Sequence, residues 1–233
     1  MIFWLLSALQ SGNALYAVTV VVGAPIALIL GLALHEFAHA FVGYRLGDLT
    51  PLRDGRLTLN PLAHFDVLGT ILILIAGFGY GRPVMVNPYN FRMDRRMGMA
   101  LVAIAGPVTN VLIALAFGIA LRVLYAVSGG IDFQTPEPFD FIKGIFSLIV
   151  SFNLGLAVFN MIPFPPLDGS KVLLALLPGE MAYRVERFYI QAQQYGMLIL
   201  FAILWLGGRF IGPLISGPAD ALYLLIVGRG ALF

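Results

Sequence analysis

ALYAVTVVVGAPIALILGLALHEFAHAFVGY, residues 14–44, decides how this chain is read. The stretch holds one acidic residue, Glu36, and two histidines, His35 and His39, in otherwise apolar or small sequence. No Lys or Arg occurs before Arg45. About 20 apolar residues carry a helix across a bilayer, so this segment is long enough to cross with tilt. The absence of a basic n-region argues against a secretory signal peptide. Residues 1–9 are apolar but too short to span, and are expected to lie at the interface with Trp4.

Composition supports the same reading. Of 233 residues, 60% are apolar and only 26, 14 Lys+Arg and 12 Asp+Glu, are charged. The mean hydropathy is +0.91. An ordinary soluble domain is about 45–50% apolar and about 25% charged. These values exclude a soluble globule, a disordered chain and a nucleic-acid binder driven by phosphate contacts. The net charge of +2 says little about polyanions, because basic residues here serve to set topology. With no cysteine, disulfides, a Cys-based zinc site and a thiol nucleophile are all excluded.

Further spans are expected at 97–125, 141–164, 188–206 and 210–227. The apolar run 67–78 is too short to cross. Basic residues flank it on both sides, so it is read as a re-entrant segment or a buried half-helix. The basic residues of 45–96 and 171–187, with Arg229, place those regions in the cytoplasm. The N-terminus and the acidic loop 128–140 then lie outside, and Trp4 and Trp205 fall at the outer boundary. The expected fold is an all-α polytopic membrane protein of five to six transmembrane helices with a short re-entrant segment, forming one membrane domain over 1–233. Residues 82–90 read either as an extended hairpin near 80–90, able to pair with an unwound peptide, or as an interfacial loop. Gly77–Gly81 reads as a turn, since no parallel-sheet context makes it a dinucleotide fingerprint.

Acidic residues within membrane sequence are costly and mark function. Glu36 and Asp168 are the two that do not sit in ordinary loops. His35-Glu36-Phe37-Ala38-His39 is an HExxH pattern on a predicted helix. Positions i and i+4 share a helical face, so both imidazoles can reach one zinc ion. The Glu between them stands where a general base is needed. The plainer reading is a pair of bridging histidines with Glu36 as counter-ion. Only three histidines exist in the chain, and two flanking one glutamate argue for metal. A catalytic zinc takes three protein ligands and keeps an open position. His64 and Asp168 are the candidates for the third. Topology favours Asp168, which follows an inward-running span at similar depth. Its plainer role is an N-cap for a helix over 170–177.

Three motifs together, His35–His39, Gly106-Pro107-Val108-Thr109-Asn110 and Asn160-Met161-Ile162-Pro163-Phe164-Pro165-Pro166-Leu167-Asp168-Gly169, resemble the site-2 protease family of intramembrane zinc metalloproteases, peptidase family M50. The chain is most similar to the compact prokaryotic branch, without PDZ or CBS domains. The resemblance implies one zinc per chain held by His35, His39 and Asp168, with Glu36 as general base. It implies that the Asn160–Pro163 turn helps to hold the substrate strand or the oxyanion. Asn160 either donates to that oxyanion or satisfies backbone groups freed beside Pro163. Asn110 matches a family position near the active site, or is an interhelical packing residue. His64 also resembles the compact branch, lining the cleft or pairing with Asp66 at the surface. The activity implied is hydrolysis of peptide bonds in or near transmembrane segments of single-span or membrane-anchored proteins. It would be located in a prokaryotic cell membrane, with the site toward the cytoplasm and no nucleic-acid partner. A non-catalytic metal carrier or sensor is the alternative, and a catalytically dead regulatory homologue a third reading.

Overall fold

The computed structural model describes residues 6, 10, 12–67, 69, 81–132, 137 and 139–228, with backbone alone over 193–211. The described elements, in order, are α1 (Ala14–Arg45), α2 (Thr50–Arg53), α3 (Arg95–Ser128), α4 (Asp140–Asn160), α5 (Asp168–Leu176) and α6 (Gly179–Val227). Two single 3₁₀ turns, Pro61–Ala63 and Pro88–Asn90, lie between α2 and α3. The described chain is helical, and no strand occurs in it.

Local chemistry sets the helix starts. Asn13 accepts from the Tyr16 N–H at 2.9 Å to open α1, and Asp94 accepts from the Met97 N–H at 2.9 Å to open α3. Side-chain oxygens at these positions satisfy amides that have no partner within the helix. Helix α4 ends at Asn160, short of the 164 expected. The chain then turns through 161–167 before α5 begins at Asp168.

Among the described residues, α1, α3 and α4 are long and apolar enough to cross a membrane. The protein is a membrane protein on this ground. The count of five to six spans needs correction in one part. The segments expected separately at 188–206 and 210–227 belong to one continuous helix, α6, of 49 residues. Within it Gly212–Val227 is a shorter apolar stretch. The hairpin expected near 80–90 is also absent among the described residues. Residues 81–87 are irregular and 88–90 form a 3₁₀ turn. Asn87, Pro88 and Asn90 explain this: proline and side-chain-to-backbone bonds favour turns over a ladder, and Asn87 accepts from the Tyr89 N–H. The interfacial segment 1–9, the re-entrant run 67–78, the Gly77–Gly81 turn, the Trp205 side chain and Arg229 lie wholly or mostly outside the described residues.

Helices α1, α3 and α4 pack against one another. Small residues allow it: a Cβ added at Gly23 would stand 2.7 Å from Leu148 Cδ1, and one at Gly31 would stand 2.9 Å from Leu156 Cδ1. Close backbone approach of this kind is how helices associate where lipid removes the hydrophobic drive. A second cluster, with Leu121, Val150, Leu154, Tyr223 and Val227, joins α3, α4 and α6.

Candidate metal centre

His35 and His39 lie one turn apart on α1, and both are buried. Asp168 reaches them as the first residue of α5. His35 Nε2 is 2.9 Å from His39 Nε2, and Asp168 Oδ2 is 3.2 Å from the first and 3.1 Å from the second. At Zn–N bonds of about 2.0–2.1 Å, tetrahedral ligands stand about 3.3 Å apart. The triangle is close to that size. Among the described residues, these three form the only group able to hold a metal ion.

The hydrogen bonds around the triangle decide what it can hold. His39 Nδ1 donates to the Val102 carbonyl at 2.7 Å. His35 Nδ1 donates to Asn110 Oδ1 at 2.6 Å. With both Nδ1 atoms acting as donors, both neutral imidazoles present bare Nε2 lone pairs. Two nitrogen lone pairs and a carboxylate oxygen then converge with no donor between them. Such a set suits a cation, and a donor set of two imidazoles and one carboxylate suits zinc. The fit extends to α3. A Cβ at Gly106 would stand 2.5 Å from His35 Cε1 and 2.6 Å from both Nε2 atoms. Only glycine leaves that space open.

Asp168 is fixed from several sides. Leu167, rather than Asp168, is the helix N-cap, so the plainer capping role does not hold. Gly169 packs against the Met161 and Ile162 carbonyls where a Cβ would collide. Arg96 of α3 donates to the Leu174 and Leu177 carbonyls at the end of α5. Tyr189 of α6 donates to the Pro163 carbonyl at 2.7 Å, holding the turn before α5.

The other expected residues are placed as follows. Glu36 is half-buried on α1, within electrostatic range of His39 on one side and Arg56 on the other. Asn110 is fully buried and bonds the His35 ring directly, which joins its two readings: it packs between helices and it orients His35. Asn160 Nδ2 donates to its own helix at Leu156 O, 3.0 Å away. Pro163 is exposed. His64 is neither at the surface nor part of the metal group. It is fully buried, and its Nε2 donates to the Thr58 carbonyl at 2.8 Å.

Two contributors escaped the sequence reading. Val102 acts through its backbone carbonyl, which leaves no trace in a side-chain pattern. Asp48 joins the end of α1 to the loop before α3. It accepts from Thr50 Oγ1, the Asn87 N–H and Asn90 Nδ2, each at 2.7 Å, and from the Thr50 N–H at 3.1 Å. An Asp two residues before Thr-Pro is a turn signal, but its distant partners are invisible in sequence.

A sequence profile described as peptidase family M50 matches residues 139–206. The Bacillus subtilis protein named "Putative zinc metalloprotease YwhC" is 38% identical over 211 residues, covering 86% of this chain and 89% of that protein. The chain belongs to peptidase family M50. Two further relatives extend the likeness. "Putative zinc metalloprotease Rip2" of Mycobacterium tuberculosis is 32% identical over 197 residues, 79% of this chain and 68% of that protein. "Putative zinc metalloprotease MJ0611" of Methanocaldococcus jannaschii is 31% identical over 159 residues, 68% and 72% respectively. No solved structure matches the chain. Family membership and the His35–His39–Asp168 geometry agree on zinc as the metal of this M50 site.

Proposed function

We propose that this M50 protein is an intramembrane zinc metalloendopeptidase. Its substrates are single-span or membrane-anchored proteins, cut in or near their transmembrane segments. The observation that carries this reading is the convergence of His35 Nε2, His39 Nε2 and Asp168 Oδ2 between apolar helices, with Glu36 beside them in the same helical turn.

Zinc held there supplies Lewis acidity, which activates water and stabilises negative charge on a carbonyl oxygen. The chain's own groups do the rest. His35 and His39 keep their Nδ1 protons on Asn110 and Val102, so neither imidazole is free to serve as the base. That role falls to Glu36, which takes a proton from the attacking water and returns it to the leaving amine. Asn160 Nδ2 spends one of its two N–H donors on Leu156 O, which leaves the second to donate to an oxyanion.

Charge supports the orientation. Arg45 closes α1 less than two turns beyond His39, about 9 Å along the axis. Arg53, Arg56, Arg92, Arg95 and Lys171 belong to the same end of the chain's topology, while Asp132, Glu137 and Asp140 belong to the other. A cytoplasm-facing site follows from the positive-inside rule.

The test is cleavage of a single-span model substrate in liposomes. The protein is expected to cut it, chelator to abolish cutting, and added zinc to restore it. Glu36→Gln is expected to keep about one zinc per chain and lose cleavage. A Glu36→Gln protein that still cuts would refute the general base. A wild-type protein that binds zinc without cutting any single-span substrate would leave the carrier or sensor as the function.

A further inference from the structure

The two histidines have their tautomers fixed by different means. His39 donates to the Val102 carbonyl, which can only accept. His35 donates to a carboxamide, whose two ends have similar shape and opposite hydrogen-bonding character. Reversing the Asn110 amide would make its Nδ2 the donor to His35 Nδ1. The ring proton would move to Nε2, where it would face His39 and Asp168 in place of a metal. Something must therefore hold Asn110 in one orientation.

We propose that Asn153 is a positioning residue for the metal centre, acting through Asn110 to fix which nitrogen of His35 faces the ligand cluster. The proposal rests on His35 being a metal ligand. Asn110 Nδ2 donates to the Gly31 carbonyl at 3.1 Å and to Asn153 Oδ1 at 2.9 Å. Asn153 is itself an amide, but its Nδ2 donates to the Ile149 carbonyl of its own helix at 2.8 Å. That carbonyl can only accept, so Asn153 must present Oδ1 to Asn110. The Gly31 carbonyl can likewise only accept, so two acceptors hold the Asn110 amide; the shorter bond carries constraint from Ile149 O through Asn153 and Asn110 to His35 Nδ1, across α4, α3 and α1. Asn110 and Asn153 are both 0% exposed, so solvent cannot replace either partner. Gly31 permits the approach, since a Cβ there would stand 3.2 Å from Asn153 Oδ1. Outer partners of metal-binding histidines fix ring orientation and tautomer, and their loss weakens metal binding about 10–100-fold.

The experiment uses detergent-purified full-length protein with ¹⁵N-labelled histidine. Only three histidines are present, which keeps the spectrum assignable. Zinc affinity is measured by competition with a chelating dye, and the zinc-free His35 tautomer by its ¹⁵N shifts. Asn153→Leu and Asn153→Ala are expected to lose about 10–100-fold in zinc affinity and to shift His35 from the Nδ1–H form toward Nε2–H. Asn153→Asp, which keeps an acceptor toward Asn110, is expected to retain the Nδ1–H form. Unchanged tautomer in the folded Leu or Ala variant overturns the proposal, whatever happens to affinity. If neither folds, the Asp variant decides: retained Nδ1–H supports the proposal, and a shift to Nε2–H overturns it. His35→Ala tests the underlying reading separately. If it still binds zinc at wild-type affinity, the metal assignment fails; if it does not, a failure at Asn153 belongs to this proposal alone.

Discussion

Lys171 and Asp168 stand one helical turn apart on α5 and divide a carboxylate between two tasks. Lys171 Nζ donates to Oδ1 at 3.1 Å, while Oδ2 faces both imidazoles. Lys171 therefore selects one oxygen for the ligand cluster. Its side chain is 39% exposed, so as an ion pair it is worth little to stability, about 0–1 kcal/mol. Its effect belongs to geometry instead. Lys171→Met is expected to lower zinc affinity about tenfold, at the lower end of such outer-partner effects, with little change in the melting temperature of zinc-free protein. Chelator competition and thermal melting measured on one preparation check this. A large melting shift with unchanged affinity would assign Lys171 to folding.

Gly106 makes a sharper test, because the space above it is the ligand space. An added methyl would stand 2.5–2.6 Å from the imidazole atoms. Gly106→Ala is expected to lose zinc, measured as metal content per chain after dialysis. Gly155→Ala is the control. Nothing lies within 4 Å of a Cβ there, and alanine improves a helix interior by about 0.5–1 kcal/mol. That variant is expected to keep zinc and melt no lower than wild type. Equal zinc content in the two variants would contradict the packing described for α3.

These residues also show what sequence can carry. His35 and His39 were legible because helical periodicity turns an i, i+4 spacing into a shared face. Asp168 needed a topological argument, and its alternative as an N-cap was excluded only by Leu167 taking that position. His64 misled because a lone histidine looks the same whether it faces a cleft, the surface or a buried carbonyl. The boundary between 206 and 210 misled for another reason. Gly207 and Gly208 lie between the two expected spans; glycine weakens a helix without forbidding it, and the backbone of α6 runs through. Val102 and the Asn110–Asn153 pairing were illegible, since backbone acceptors and contacts between distant helices have no local signature.

The far end of α4 holds a buried ion pair. Lys143 Nζ bonds Asp140 Oδ1 at 2.9 Å and the Ser128 and Gly130 carbonyls at 3.1 Å each, using all three donors. Both side chains are essentially inaccessible. Removing one partner strands a buried charge, at a cost of about 3–5 kcal/mol. Lys143→Met is therefore expected to be strongly destabilising, and Asp140→Asn with Lys143→Met less so than Lys143→Met alone. Denaturation of the three proteins in one detergent measures the difference. A double variant less stable than the single would show that no stranded charge is involved.

Asp48 ties stability to pH through a loop outside the spans. Burial raises its pKa, but bonds from Asn90, Asn87 and Thr50 outweigh this and hold it below its ordinary value. The sign follows. A carboxylate with a folded pKa below its unfolded value of about 3.9 stabilises fully above that value. The contribution is lost as pH falls from there through the folded pKa. Wild type is thus expected to lose part of its stability on acidification below about pH 4–5. Asp48→Asn is expected to start lower at neutral pH, by about 1–3 kcal/mol for the bonds it unsettles, and to lose less on acidification. Melting temperatures from pH 7 down to 3 test this as the difference between the two curves. Hydrogen exchange at the Asn87 amide, which donates to Asp48 Oδ2, should rise with the same pH dependence, once corrected for intrinsic exchange. Parallel curves for the two proteins would mean that Asp48 is not the group that loosens the loop in acid.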